Sequence, residues 1–189
     1  MPDREVKTVR HLIYFQYAKI VAKAAFGPDA KKTSYGFIKK TFHDFLNDEK
    51  HWSDIIREDK QFIQCEKKCI YCGSEENLSW DHIVPKSLAI NDRCGNCDKI
   101  QGVHNLIWAC KRCNSEKGTK GVYQFYHEKN PDDAKYFDHI PALLEKKYLK
   151  TVYYCHICNG TIDTSDCNSD GEISVLDLDI SLTLQKTSL

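Results

Sequence analysis

The stretch "CIYCGSEENLSWDHIVPKSL", Cys69 to Leu88, decides how this chain is read. It opens on two cysteines separated by two residues and closes on a carboxylate and an imidazole side by side, Asp81 and His82, with Pro85 just beyond. Two residues between thiolates let both sulfurs face one ion from a tight turn, and two such pairs complete the tetrahedral shell of a closed zinc site. Successive side chains of a strand point to opposite faces, so for Asp81 and His82 to reach one reactive centre the strand must end or bend there. Pro85 fits that break.

Working outward, three more Cys-x-x-Cys pairs follow: Cys94/Cys97, Cys110/Cys113 and Cys155/Cys158. Eight paired cysteines imply two zinc ions, and the four pairs can be matched in three ways. Cys65 and Cys167 are left over and read as ordinary thiols. The opening "MPDREVKTVRH" lacks the apolar run of a signal peptide, and no window of the sequence approaches a membrane span. A soluble, cytoplasmic protein with no membrane partner is therefore expected, a setting in which cysteines serve metals rather than disulfides.

The 189 residues, 41% apolar, suffice for one core. The 27 basic and 27 acidic residues cancel. Residues 151–189 hold six acids against one lysine, a net of −5, so residues 1–150 carry 26 basic against 21 acidic, a net of +5. A polyanion would dock on that basic part. The lysine-rich pairs at 31–32, 39–40, 67–68, 111–112 and 146–147 would track phosphates if they gathered on one face.

Apolar spacing from Val6 to Ala24 predicts a helix with Pro2-Asp3 as its start and Gly27-Pro28 as its stop. A second is predicted from Ser34 to Leu46 and a third from Ser53 to about Phe62. Residues 65–121 read as turns, short strands and a short helix closed at Gly118. Two more helices are predicted in "GVYQFYHEKN" and "IPALLEKKYLK", followed after Tyr153 by a polar tail in which "ISVLDLDI" alternates like a strand. The fold class is thus α+β and mostly helical. Residues 1–64 form a helical layer, 65–121 a central unit, and 122–189 helices with an acidic, Cys-containing tail. "DCNSDGEISVLD", Asp166 to Asp177, mimics a calcium loop without its final Glu, and an Asx-rich turn is the favoured reading. Trp80 and Trp108 read as core residues rather than platforms for bases.

"CIYCGSEENLSWDHIVPKSL" followed by "VHNLIWACKRCNSEKGTKG" resembles the HNH endonuclease family over Cys69 to Gly121, through Asp-His, Pro85, Asn105-Leu106, Cys110-x-x-Cys113-Asn114 and Lys117-Gly118. The resemblance implies a ββα-metal core around one catalytic ion, and it selects Cys69, Cys72, Cys110 and Cys113 as the structural zinc site. Cys94, Cys97, Cys155 and Cys158 then remain as a second zinc site. It further implies that Asp81 and Asn114 hold Mg²⁺ or Mn²⁺, which oxygen ligands suit. His82 is the general base, with an unperturbed pKa suited to neutral pH. Asn105 braces the loop carrying that His. Lys117, which shares a helix face with Asn114, contacts phosphate. Asn114 replaces the family's frequent final His, an HNN variant.

The resulting expectation is a DNA endonuclease, restriction-type, acting on duplex and leaving 5′-phosphate and 3′-hydroxyl ends, with a two-fold homodimer for cutting both strands. The rival readings are a zinc-stabilised nucleic-acid-binding module without catalysis, a protein-interaction adaptor, and an RNA-directed nuclease.

Overall fold

The computed structural model describes residues 3–27, 31–51, 55–87 and 98–179. Helices dominate: α1 (Val9–Phe26), α2 (Lys31–Leu46), α3 (Ile55–Gln64), α4 (Asp98–Gln101), α5 (Lys111–Lys117), α6 (Val122–Lys129) and α7 (Ala142–Asn159). Between them lies one antiparallel ribbon of β1 (Leu78–His82) and β2 (Leu106–Cys110). The architecture is the expected α+β, mostly helical one.

Helix α1 starts later than the apolar pattern suggested. Thr8 accepts the backbone N–H of His11 and caps it, while Val6 is turned into the core ahead of the helix. Gly27 closes α1 at φ 79°, the left-handed region a glycine enters without strain. α1 packs on α2 and α7. The buried cluster runs from Val9, Leu12 and Ile13 through Phe42 to Tyr148, Leu149 and Val152, and it includes Ile83, Val84 and Ile107 of the central unit. Among the described residues no helix is long and apolar enough to cross a membrane.

The C-terminal part departs from its sequence pattern twice. Helix α7 runs on to Asn159, so Cys155 and Cys158 lie in its last two turns rather than in a separate polar tail. The alternating run after Glu172 is no strand: Val175–Leu178 is a 3-10 turn opened by a capping box between Ser174 and Asp177. The turn delivers Asp179, fully buried, to the start of α6, where it accepts the N–H groups of Tyr123 (3.3 Å) and Gln124 (2.6 Å) and the hydroxyl of Tyr148. Only a glycine fits beside it. A Cβ on Gly121 would lie 2.1 Å from Asp179 Cγ.

Burial pushes the Asp179 carboxyl up to about 7, against the bonds from Tyr148 and the two backbone amides. An unfolded aspartate titrates near pH 4. The folded chain therefore holds more protons between about pH 4 and 7, and the stability that Asp179 contributes is fully present below that window and lost as pH rises through it. The unfolding free energy measured in urea at pH 5.5 and pH 8 should show this slope in the wild type, and Asp179→Asn should flatten it. An unchanged slope in the variant would assign the pH dependence to other groups.

Candidate metal and active site

The ribbon has two unlike faces. Its register pairs Leu78 with Cys110, Trp80 with Trp108, Asp81 with Ile107 and His82 with Leu106. By strand alternation Ser79, Asp81, Ile107 and Ala109 share one face, and Asp81, Ile107 and Ala109 on it are buried. Leu78, Trp80, His82, Leu106 and Trp108 share the other, which is more open.

Ahead of β1, the Cys69–Gly73 turn closes with Gly73 at φ 76° and its N–H on Cys69 O at 2.7 Å. Ile70 N–H donates to Trp108 O (2.9 Å) and Lys111 N–H to Asn77 O (3.0 Å), fastening the turn and the approach to β1 onto β2 and α5. The sulfurs of Cys69, Cys72, Cys110 and Cys113 all lie within 4.8 Å of one another, with Cys72 and Cys110 3.8 Å apart. Sulfurs about 2.3 Å from a tetrahedral zinc stand about 3.8 Å from each other, so this cluster fits such an ion. Burial raises the thiol pKa of Cys69 and Cys113, whereas the Ser74 N–H lowers that of Cys72 to about 7. Cys110 also caps α5, its sulfur accepting the Cys113 N–H at 3.5 Å.

From this knuckle the chain reaches the carboxylate. The Tyr71 hydroxyl donates to Asp81 Oδ2 at 2.7 Å. Lys117 Nζ stands 3.5 Å from the same oxygen and donates to His82 O at 2.8 Å. The Lys117 side chain is 0% exposed, which overturns its assignment to a phosphate contact. It shares a helix face with Asn114 as expected, but that face is turned to the strand, and a desolvated ammonium needs the partners it has there. Burial lowers its pKa while Asp81 opposes that shift. Asn114 Nδ2 lies 3.3 Å from Ser79 Oγ and 3.4 Å from Trp80 O, so the amide sits against β1 just before Asp81. His82 is half-buried, and burial lowers its pKa, with the charges of Lys86 and Lys117 acting in the same direction against Asp81. The shift favours the neutral imidazole, the form with a lone pair to accept a proton.

Asn105, fully buried, ties the two ends of the connecting loop together. Its Oδ1 accepts Val84 N–H (2.8 Å) while Nδ2 donates to Val84 O and Ile100 O (both 2.8 Å). All three partners are backbone groups, which a neutral amide can serve from both ends. The adjacent His104 packs partly buried, its Nε2 2.7 Å from Lys99 O.

The remaining candidates are dispersed. Cys155 is buried in the main core and Cys158 is exposed on α7, while Cys94 and Cys97 lie outside the described residues. Among the described residues, Cys69, Cys72, Cys110 and Cys113 form the one group of His, Cys, Asp or Glu side chains able to hold a metal. In the calcium-like loop, Asp166 accepts the N–H groups of Asp170 and Gly171, and Asp177 accepts those of Cys167, Asn168 and Ser174. The Asx-turn contacts of the loop are those two residues apart, Asn168 Oδ1 accepting Asp170 N–H at 3.0 Å and Asp170 Oδ1 accepting Glu172 N–H at 2.9 Å. Of the lysine-rich pairs, some members are engaged inside the fold. Lys39 pairs with Asp3 and Glu5, and Lys147 is buried against Asp59. Sequence reading missed Tyr71, whose only signal was its place between two ligands, and it took Trp80 for core although 47% of that residue is exposed.

A family model described as HNH endonuclease matches residues 69–130, a span that holds the cysteine cluster, both strands, α5 and α6. No curated protein and no solved structure matches the chain.

Truncating Asn105 leaves two buried carbonyls and one buried N–H without their partner. Asn105→Ala should cost about 2–4 kcal/mol of unfolding free energy in urea. A loss below about 0.5 kcal/mol would show that the loop closes without this brace.

Proposed function

We propose, from the HNH endonuclease match over residues 69–130, that the chain hydrolyses phosphodiester bonds in nucleic acid with the end of β1 and the start of α5 as its active site. What supports this reading is the end of β1, where Asp81, held by Tyr71 and Lys117, is followed directly by His82, and where Asn114 of α5 lies against Ser79 and Trp80 just before them.

Each residue has a task that its chemistry suits. His82 takes the proton of the attacking water, for which a neutral imidazole is required. Asp81 and Asn114 supply hard oxygen donors for a divalent cation, Mg²⁺ or Mn²⁺. Asn114 directs its Nδ2 toward Ser79 and Trp80, so its oxygen is the arm available to an ion. Such a cation, when bound, supplies charge stabilisation for the phosphoryl oxygens and the leaving group. Tyr71 and Lys117 hold Asp81 by one oxygen, and Lys117 also grips the His82 carbonyl, which fixes the backbone where the two side chains diverge. Zinc is the ion suited to the four thiolates, and its role there is structural.

The substrate we propose is DNA, duplex in form, which the basic balance of residues 1–150 favours over a neutral partner. One active site per chain favours a two-fold dimer for double-strand cutting, as in a restriction-type enzyme of the cytoplasm. RNA cleavage is the second reading within the same chemistry, and binding without cleavage the alternative to it.

Supercoiled plasmid incubated with Mg²⁺ should be converted to nicked and linear forms, in parallel with an RNA of mixed sequence that tests the other substrate. His82→Ala should slow cleavage by about 10²–10⁴-fold while far-UV circular dichroism, zinc content and DNA binding persist. Unchanged turnover in that variant would remove His82 as the base.

A further inference from the structure

We infer that the stacked pair Trp80–Trp108 is a platform for an unpaired nucleobase, so that the proposed nuclease prefers strands with a base out of its pair close to the cut. The inference rests on the phosphodiesterase reading and adds a substrate feature to it.

The two indoles face each other across the ribbon as a register pair, with ring centroids 3.9 Å apart and planes inclined by 24°. Phe62 of α3 meets Trp80 at 5.9 Å and a 56° tilt, and Lys67 Nζ stands 5.4 Å from the Trp108 ring. Buried Phe62 thus backs Trp80, and the indole pair ends in a cation at Lys67. Trp80 keeps 47% of its surface in water, although Trp108 and Phe62 beside it pack into the main core. An aromatic this exposed, held flat by a second one, offers π surface that every base can use.

Position and charge decide the occupant. Strand alternation puts Trp80 on the same face as His82, two residues and about 7 Å along β1. That span matches about two steps of stacked bases at 3.4 Å each. Lys67 has no carboxylate within ion-pair distance among the described residues, whereas its neighbour Lys68 is held by Glu66 and Glu75. A free ammonium beside exposed indole complements a phosphate joined to a stacking base, the combination by which single-strand binders work. In an intact duplex each base already stacks on its neighbours. An unpaired base is the one able to change partners.

The test uses the full chain in buffer without Mg²⁺ and without chelator, so that cleavage is suppressed and the thiolate site is kept. Two labelled duplexes of one sequence are titrated by fluorescence anisotropy, one fully paired and one with a single bulged base. The wild type should bind the bulged duplex about 5- to 100-fold more tightly. Trp80→Ala should abolish that preference while its affinity for the paired duplex changes by less than about 3-fold, as expected for a residue that acts through a base. Trp80→Phe should keep most of the preference. Trp80→Leu, which retains apolar bulk without a π face, should lose it even if the alanine variant fails to fold.

Equal affinity for the two duplexes in the wild type, or a preference that survives in Trp80→Leu, would overturn the platform. So would sedimentation showing a dimer that Trp80→Leu dissociates without any change in base preference, since the indoles would then belong to an interface between two copies. A Trp80-dependent preference in a chain that cuts neither DNA nor RNA would uphold the platform and refute the nuclease reading. Cleavage without the preference would do the reverse.

Discussion

The candidate site depends on four sulfur atoms being held at one point. A two-stranded ribbon is marginal on its own in water, and the small cluster beneath this one consists of Cys69, Ala109, Cys110 and Cys113, with Tyr71 and Leu78 at its edge. An ion bound by the four thiolates would add to this small cluster, and its binding energy would then be folding energy. It also fixes geometry, because the residues of the site lie next to its ligands. Tyr71 directly precedes Cys72 and reaches Asp81, while Asn114 directly follows Cys113 and lies against β1. A displacement of the sulfurs is transmitted to both sides of the proposed cation position.

Around this centre the chain uses polar groups that are buried and paired. Lys117 lies between Asp81 and the His82 carbonyl, Asn105 closes the loop behind them, and Asp179 holds the start of α6. Burying such groups costs several kcal/mol each when they lack partners, and much less when every lone pair is matched. Their value is therefore orientation. Lys117 defines where the backbone turns at His82, so that two neighbouring side chains diverge from a fixed point. That Lys117 is inside rather than on phosphate moves the positive charge of the site from substrate recognition to the support of its carboxylate.

The parts legible in the sequence are those written in short-range spacing. Ligand pairs two residues apart, the helix stop at Gly118, and the adjacency of Asp81 and His82 are local patterns, and the ribbon and α5 follow from them. What escaped was orientation. Asn114 and Lys117 were placed on one face of α5 correctly, but periodicity does not say whether that face meets solvent or strand. Trp80 was taken as core because tryptophan usually is, whereas the pleat turns it to the open face with His82. Nor does local sequence show that Asp179 caps a helix 56 residues earlier, which is why the alternating tail read as a strand. The pair Cys155/Cys158 shows the same limit: its spacing repeats that of Cys69/Cys72, yet it sits on a helix with one sulfur in the main core and one in water.

Hydrogen exchange of the backbone amides, followed before and after a zinc chelator is added to the intact protein, tests the dependence on the sulfur cluster most directly. Loss of the ion should release the amides of Ile70, Lys111, β1, β2 and α5 to rapid exchange, while those of α1 and the first half of α7 keep their protection. Ribbon and α5 amides that stay as protected without metal as with it would contradict the account.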